Sequence, residues 1–247
     1  MNNQLPFIPE LEKELRPLFK KMYYEINNIN DYWLFCATWG KYFPSTPNNG
    51  IIFYGRSTNG WKDYTYPIDY SGNPDDIFSF LFNRMDQVEW MPDNTQRPFV
   101  NLIKKIAEKY YPVDWNEHIA WSNVCKVAPN KGWGTPSTSL WDEQYWHCVK
   151  TMEVELRLLS PKVIVFITGS TAGERWDWPL FEIERYKNLK FTESIEWGET
   201  RKGYPLSSKG GVINNQIIII TDRPERRPII PHSEAIMTLI ERLSNKI

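Results

Sequence analysis

The sequence predicts an α/β protein, a three-layer α/β/α sandwich around a central, mostly parallel four-stranded sheet. Three observations lead there. Residues 162–168 (KVIVFIT) and 216–221 (QIIIIT) are nearly continuous apolar runs rich in β-branched side chains, the pattern of central strands covered on both faces. Between the strand-like runs, apolar residues recur at spacings of three and four, which is the helical period. Strands alternating with helices imply right-handed crossovers that lay helices on both faces of one sheet.

In chain order, Leu11, Leu15, Leu18, Met22 and Ile26 give residues 8–27 one apolar helical face, with Pro17 expected to kink or restart the helix. Residues 51–54 (IIFY), closed by Gly55, read as a buried strand. Helical periodicity returns over 75–90 through Ile77, Leu81, Met85 and Val88. It returns again over 98–110 through Phe99, Ile103, Ile106 and Tyr110, where Pro98 suits a first turn. A second strand is expected at about 119–127 (IAWSNVCKV), and a long helix at about 139–159 ending before Ser160-Pro161. Ser233 is expected to open a final helix with Ile236, Leu239, Ile240 and Leu243 inward. The whole chain, 1–247, is expected to be one domain, with residues 1–48 as an N-terminal helical extension. Residues 170–215, broken by Gly203, Pro205, Gly210 and Gly211, are expected to form an irregular surface excursion.

Composition narrows the function. A charged fraction of 24% beside 15% aromatics describes a packed globule. The 12 Trp and 13 Tyr either fill the core or stack on flat ligands such as bases and sugars. A net charge of −1 excludes a global positive field that coats nucleic acid, while leaving room for a local basic face. Cys36, Cys125 and Cys148 are widely spaced with no Cys-x-x-Cys pair, so neither a disulfide framework nor a metal or iron–sulfur site is indicated. The N-terminus has no basic segment followed by an apolar run, and no stretch approaches a membrane span. A cytoplasmic protein without cofactor or metal is expected.

In open parallel sheets, ligands gather outside the carboxyl ends of strands. Four loops qualify: 55–61 (GRSTNGW), 122–130 (SNVCKVAPN), 168–173 (TGSTAG) and 221–228 (TDRPERRP). In the first, Gly55 and Gly60 let the backbone approach a ligand while Ser57, Thr58 and Asn59 offer neutral hydrogen bonds; a tight turn with polar filler is the alternative. It is not a Walker loop, since no Gly-Lys-Ser/Thr follows, nor a nucleophile elbow, since Asn59 stands where that motif requires glycine. Asn123 lies in a buried-looking strand, an expensive place for an amide unless both ends are satisfied. It either closes a strand end internally or reads the edge of a base. Between residues 200 and 228, Arg201, Lys202, Lys209, Arg223, Arg226 and Arg227 face only Asp222 and Glu225. That excess either holds phosphates or forms a solvated, salt-bridged loop.

The order GRSTNGW after a strand, then IAWSNVCKVAPN, then LLSPKVIVFITGSTA, then IIIITDRPERRP resembles the uracil-DNA glycosylase superfamily over residues 50–240. That family has a Gly-rich first motif, an Asn-Val-x-Lys-x-x-Pro segment, a Pro-x-Val-Ile-x-x-x-Gly strand and a final His-Pro loop. The resemblance implies a four-stranded parallel sheet flanked by helices. It also implies a DNA-repair activity that flips a damaged base and hydrolyses its N-glycosidic bond. On this likeness Asn123 matches the base-reading Asn, and Gly55, Arg56, Ser57, Asn59 and Gly60 match the loop around water and sugar. Trp61 or Tyr66 would stack on the base. Ser170 would line the third loop and Arg223 would stabilise the departing base, while Arg226 and Arg227 belong to the local basic excess that would hold phosphates. Two departures stand out. Arg223 replaces the family's His, and a guanidinium can stabilise an anion but cannot shuttle a proton. The early Asp, Asn or Glu of the first motif is replaced by Arg56, Ser57 and Thr58, leaving Asn59 to orient water. Asp63, Asp69 and Asp222 are further carboxylates, and His232 either joins the site or opens the final helix with Ser233. The expected partner is therefore DNA, single- or double-stranded, or a nucleobase-containing ligand. A catalytically inactive nucleic-acid or nucleotide-binding module, and an unrelated small-molecule α/β enzyme, are the other two readings.

Overall fold

The computed structural model describes residues 8–43, 49–57, 73–83, 87–129, 135–169 and 178–247. Its elements in chain order are α1 (Ile8–Glu25), β1 (Tyr32–Leu34), β2 (Thr38–Trp39), β3 (Ile51–Gly55), α2 (Pro74–Asn83), α3 (Pro98–Tyr110), β4 (Ile119–Asn123), β5 (Val127–Pro129), α4 (Thr138–Leu159), β6 (Val163–Ile167), α5 (Trp178–Glu182), β7 (Glu193–Glu199), β8 (Pro205–Ile213), β9 (Gln216–Thr221) and α6 (Ile229–Ser244).

The apolar runs lie at the centre, where their lack of a polar face requires them to be. β4, β3, β6 and β9 are adjacent and parallel, and every residue of the four is buried. The four-stranded expectation holds for this centre but not for the whole sheet, which has seven strands in the order β2-β4-β3-β6-β9-β8-β7. β2 joins one edge antiparallel to β4, and β8 and β7 extend the other edge as an antiparallel hairpin. The excursion expected over 170–215 is thus largely ordered sheet from residue 193 onward. Its glycines are packing devices rather than breaks. A Cβ on Gly210 would stand 2.6 Å from a Leu243 methyl carbon, and one on Gly211 would overlap the carbonyl of Lys190.

Four further expectations change. Residues 1–48 are not wholly helical, since β1 and β2 follow α1, and β1 pairs with β5 in a separate two-stranded sheet. α1 runs unbroken through Pro17, which sits on the exposed face, where a freed carbonyl can turn to water. The helix expected over 75–90 ends at Asn83, and a short 3-10 turn covers Gln87–Trp90. α6 begins at Ile229, so His232 and Ser233 lie within its first turns instead of opening it.

Side chains alternate across the sheet into two cores. One face packs Ile52, Tyr54, Ala120, Ile164, Phe166 and Ile218 against α1, α2 and α4. The other packs Phe53, Trp121, Val165 and Ile219 against α3 and α6. No described helix is long and apolar enough to cross a membrane.

Candidate functional site

From β3 the chain crosses to β4 on one side, whereas from β6 it crosses to β9 on the other. The loops leaving β3 and β6 therefore part, and a crevice opens beyond their carboxyl ends. A cavity of about 340 Å³ occupies this place, lined by Gly55, Arg56 and Ser57 after β3, Asn123 at the end of β4, Ile167 at the end of β6 and Arg223 and Glu225 after β9. Trp90, Arg97, Phe99 and Trp121 form its aromatic and basic wall. Its size is at the lower end of the ~300–1,000 Å³ typical of small-molecule sites, room for one nucleoside-sized guest.

Asn123 is the central feature. In β4 the odd-numbered residues Ile119 and Trp121 face α3 and α6, while Ala120 faces α1 and α4, so Asn123 turns to the α3 side at the strand's end. The backbone beyond it is tied to β3, with Val124 N–H donating to Gly55 O (2.9 Å) and Cys125 N–H to Arg56 O (2.7 Å). The side chain is 2% exposed, and its Nδ2 has no hydrogen-bond partner among the described residues. Gly55 is what makes room for it, because a Cβ there would lie 2.5 Å from Asn123 Oδ1 and 3.4 Å from the Phe99 ring. A buried amide donor without a partner costs roughly 1–3 kcal/mol, which a ligand accepting that hydrogen bond would offset.

Trp121 anchors the aromatic wall. Its ring meets Phe35 (5.1 Å between centroids), Trp90 (5.8 Å) and Phe99 (5.8 Å) at tilts of 50–59°. Trp90 and Phe99 remain half-buried at the cavity, offering ring surface to a planar guest. Arg97 places its guanidinium 5.7 Å from the Trp90 ring centre. It precedes Pro98, the first residue of α3, which has no side-chain cap from its N-cap residue Arg97, and the first-turn residues Pro98, Phe99 and Val100 line the cavity beside that positive helix end.

The expected site residues divide. Gly55, Arg56, Ser57, Asn123 and Arg223 converge on the cavity. Arg56 is part of the frame, since its Nε donates to the carbonyl oxygen of Thr168 and clamps the parting loops together. Arg223 is engaged by Glu225 through two hydrogen bonds of 3.0 and 2.8 Å, which makes it a paired cation. Arg226 and Arg227 do not line the cavity; Arg226 is exposed with left-handed backbone (φ 60°). Asn59, Gly60, Trp61, Tyr66 and Ser170, with Asp63 and Asp69, fall outside the described residues. Asp222 is buried and accepts from Ser207 N–H (2.9 Å). His232 is buried in α6, bonded to Thr221 Oγ1 (2.7 Å) and stacked on Trp197 at 3.9 Å. Burial lowers its pKa to about 3, against a smaller opposing pull from Asp222, so it is neutral and away from the cavity lining.

Sequence reasoning missed Trp90, Arg97, Phe99 and Thr135. Phe99 was absorbed into the apolar periodicity of its helix, and only the Arg-Pro-Phe start of α3, a helix terminus rich in donors, marks the place. No family model matches the chain, and no curated protein matches it in sequence.

Proposed function

We propose that the cavity binds a single nucleobase extruded from DNA, and that the protein is a uracil-DNA glycosylase-like base-excising hydrolase. The observation that carries this reading is the buried Asn123 amide, with Nδ2 unpartnered among the described residues, in the lining of an aromatic-walled cavity. An amide presents a donor and an acceptor side by side, the pattern that pairs with a base edge. Phe99 and Trp90 supply the stacking surface, and Arg223 is the cation placed to stabilise negative charge on a departing base. Hydrolysis adds water at the sugar C1′, breaks the bond to the base nitrogen and releases the base as an anion that then takes a proton. Ser57, which lines the cavity, is the described group for orienting that water, and Asn59, outside the described residues, is the sequence's other candidate.

A second reading is favoured by one observation. Glu225 is the sole carboxylate among the described cavity residues, and Arg223 holds both its oxygens, which fits a module that binds the base without cleaving it.

The test is incubation of the purified protein with single- and double-stranded oligonucleotides carrying uracil, hypoxanthine or xanthine, scored for abasic sites and for binding. Base release abolished by Asn123→Ala supports the hydrolase. Binding that depends on Asn123 without release supports the module. Neither release nor Asn123-dependent binding removes both.

A further inference from the structure

Beyond the cavity, the β7–β8 hairpin projects from the same end of the sheet. The β8–β9 pairing ends at Ser208 opposite Thr221, yet β8 starts at Pro205 and pairs there with Glu199 of β7. At about 3.3 Å per residue, the hairpin passes the end of β9 by roughly 10 Å before it turns. The turn is well formed. Gly203 N–H donates to Thr200 O (2.9 Å), Thr200 N–H to Tyr204 O (2.7 Å) and Tyr204 N–H to Thr200 Oγ1 (3.0 Å), with Gly203 at φ 76°. This is a type I turn closed by a left-handed glycine, and it places Arg201 and Lys202 at the two outermost positions. Tyr204 beside them is 59% exposed.

The base of this finger is stiff and tied to the site. Trp197 is the extra residue of a bulge between Glu196 and Gly198, a feature that bends and twists a strand. Its ring stacks on His232, and its Nε1 donates to Ser208 Oγ (3.1 Å). Ser207 N–H donates to Asp222 Oδ2 in the loop after β9 (2.9 Å), and a Cβ on Gly198 would meet the Pro228 ring at 3.9 Å. The finger and the loop that carries Arg223 to the cavity are thus one packed unit. Arg201, Lys202, Arg226 and Arg227 make no ion pair among the described residues, whereas Arg223 has Glu225. The nearby acids are Glu199, exposed on β7, and buried Asp222. Protection of the sheet edge does not account for the tip. That role falls to the acidic residues Glu193, Glu196 and Glu199 along β7, while the two cations sit past the last paired residues.

We infer that the hairpin tip and the loop after β9 grip the phosphodiester backbone of a polynucleotide strand next to its extruded base, with Arg201 and Lys202 on phosphates and Tyr204 offering a stacking face to a neighbouring base. This rests on the base-binding reading of the cavity, which the test keeps separate. Binding of a labelled single-stranded 15-mer DNA is measured by anisotropy across a salt series for the wild type, R201Q/K202Q, and K13Q/K150Q, which removes the same charge from exposed positions on α1 and α4. R201Q/K202Q is expected to bind roughly tenfold more weakly, with a salt slope reduced by about 1.4, two contacts at ~0.7 each for single strands. K13Q/K150Q is expected to match the wild type. Equal affinity and slope for R201Q/K202Q, equal losses in both variants, or no strand binding by the wild type each overturn the inference. Strand binding lost in Asn123→Ala but kept in R201Q/K202Q refutes the grip and leaves the cavity reading standing. The reverse pattern keeps the grip and refutes the cavity reading.

Discussion

Replacing Asn123 by leucine is expected to stabilise the fold while abolishing ligand binding. The two side chains are of similar size, so the change removes the polar atoms without opening a large void. The Asn123 Nδ2 is buried without a partner among the described residues, and removing such a donor recovers roughly 1–3 kcal/mol. Against this, Asn123 Oδ1 already presses on Gly55. The tetrahedral end of leucine needs slightly more room than a planar amide, and overpacking of this kind costs typically 1–3 kcal/mol, the low end applying where a neighbouring cavity takes up the extra methyl. The net expectation is a gain of about 1 kcal/mol, or a Tm rise of roughly 2–4 °C for a chain of this length. Urea unfolding measures the first and a thermal melt the second, with oligonucleotide or nucleobase binding followed on the same sample. A loss of more than about 1 kcal/mol would show that the amide is bonded within the fold and is structural. A stabilised variant that still binds would show that the ligand does not use it.

Three further outcomes are expected. Gly55→Ala should displace Asn123, because the new Cβ would lie 2.5 Å from Oδ1; a stability loss of about 1–3 kcal/mol accompanied by loss of base binding, read by urea unfolding and titration, is the expected pair. Lys126→Met should cost about 3–5 kcal/mol, since it strands the fully buried Glu155, and most of that should return in Lys126→Met/Glu155→Leu; a single-variant cost under about 1 kcal/mol in urea unfolding would contradict the buried pair. Burial lowers the His232 pKa from its ordinary 6.5 to about 3 in the folded protein, so its contribution is complete above pH 6.5 and is lost as pH falls toward 3. At about 1.4 kcal/mol per pH unit, unfolding at pH 7 and pH 5 should differ by roughly 2 kcal/mol, a difference that flattens in His232→Phe.

The parts of the fold legible in sequence are those where burial on both faces leaves no polar pattern, as in β6 and β9. β7 and β8 were not legible because one face of the hairpin is exposed and charged, and because Gly210 and Gly211, which read as breaks, serve close approach to Leu243 and Lys190. Likewise the loops around Gly55, Asn123 and Arg223 could be placed, since strand ends in a parallel sheet must point one way. Their opposite wall could not. Phe99 and Trp90 reach the cavity only through the path of the chain between β3 and β4, which no local periodicity encodes. Nor does sequence show that Glu225, two residues on, takes up Arg223 as an ion-pair partner.

Two neighbours on β4, Ser122 and Asn123, differ in how their buried polar atoms are satisfied among the described residues. On the opposite face, Ser122 belongs to a buried network with every member engaged. Lys126 Nζ donates to Glu155 Oε1 (2.8 Å), Oε2 (2.9 Å) and Ser122 Oγ (2.6 Å), while Tyr54 OH and Ser122 Oγ donate to Glu155 Oε2 at 2.9 and 3.0 Å. Burying a lysine is far harder than burying an amide, and here the fold does it within three residues of Asn123. Among the described residues the Asn123 Nδ2 has no such partner, and under the base-binding proposal the edge of a bound base accepts its hydrogen bond and offsets that cost.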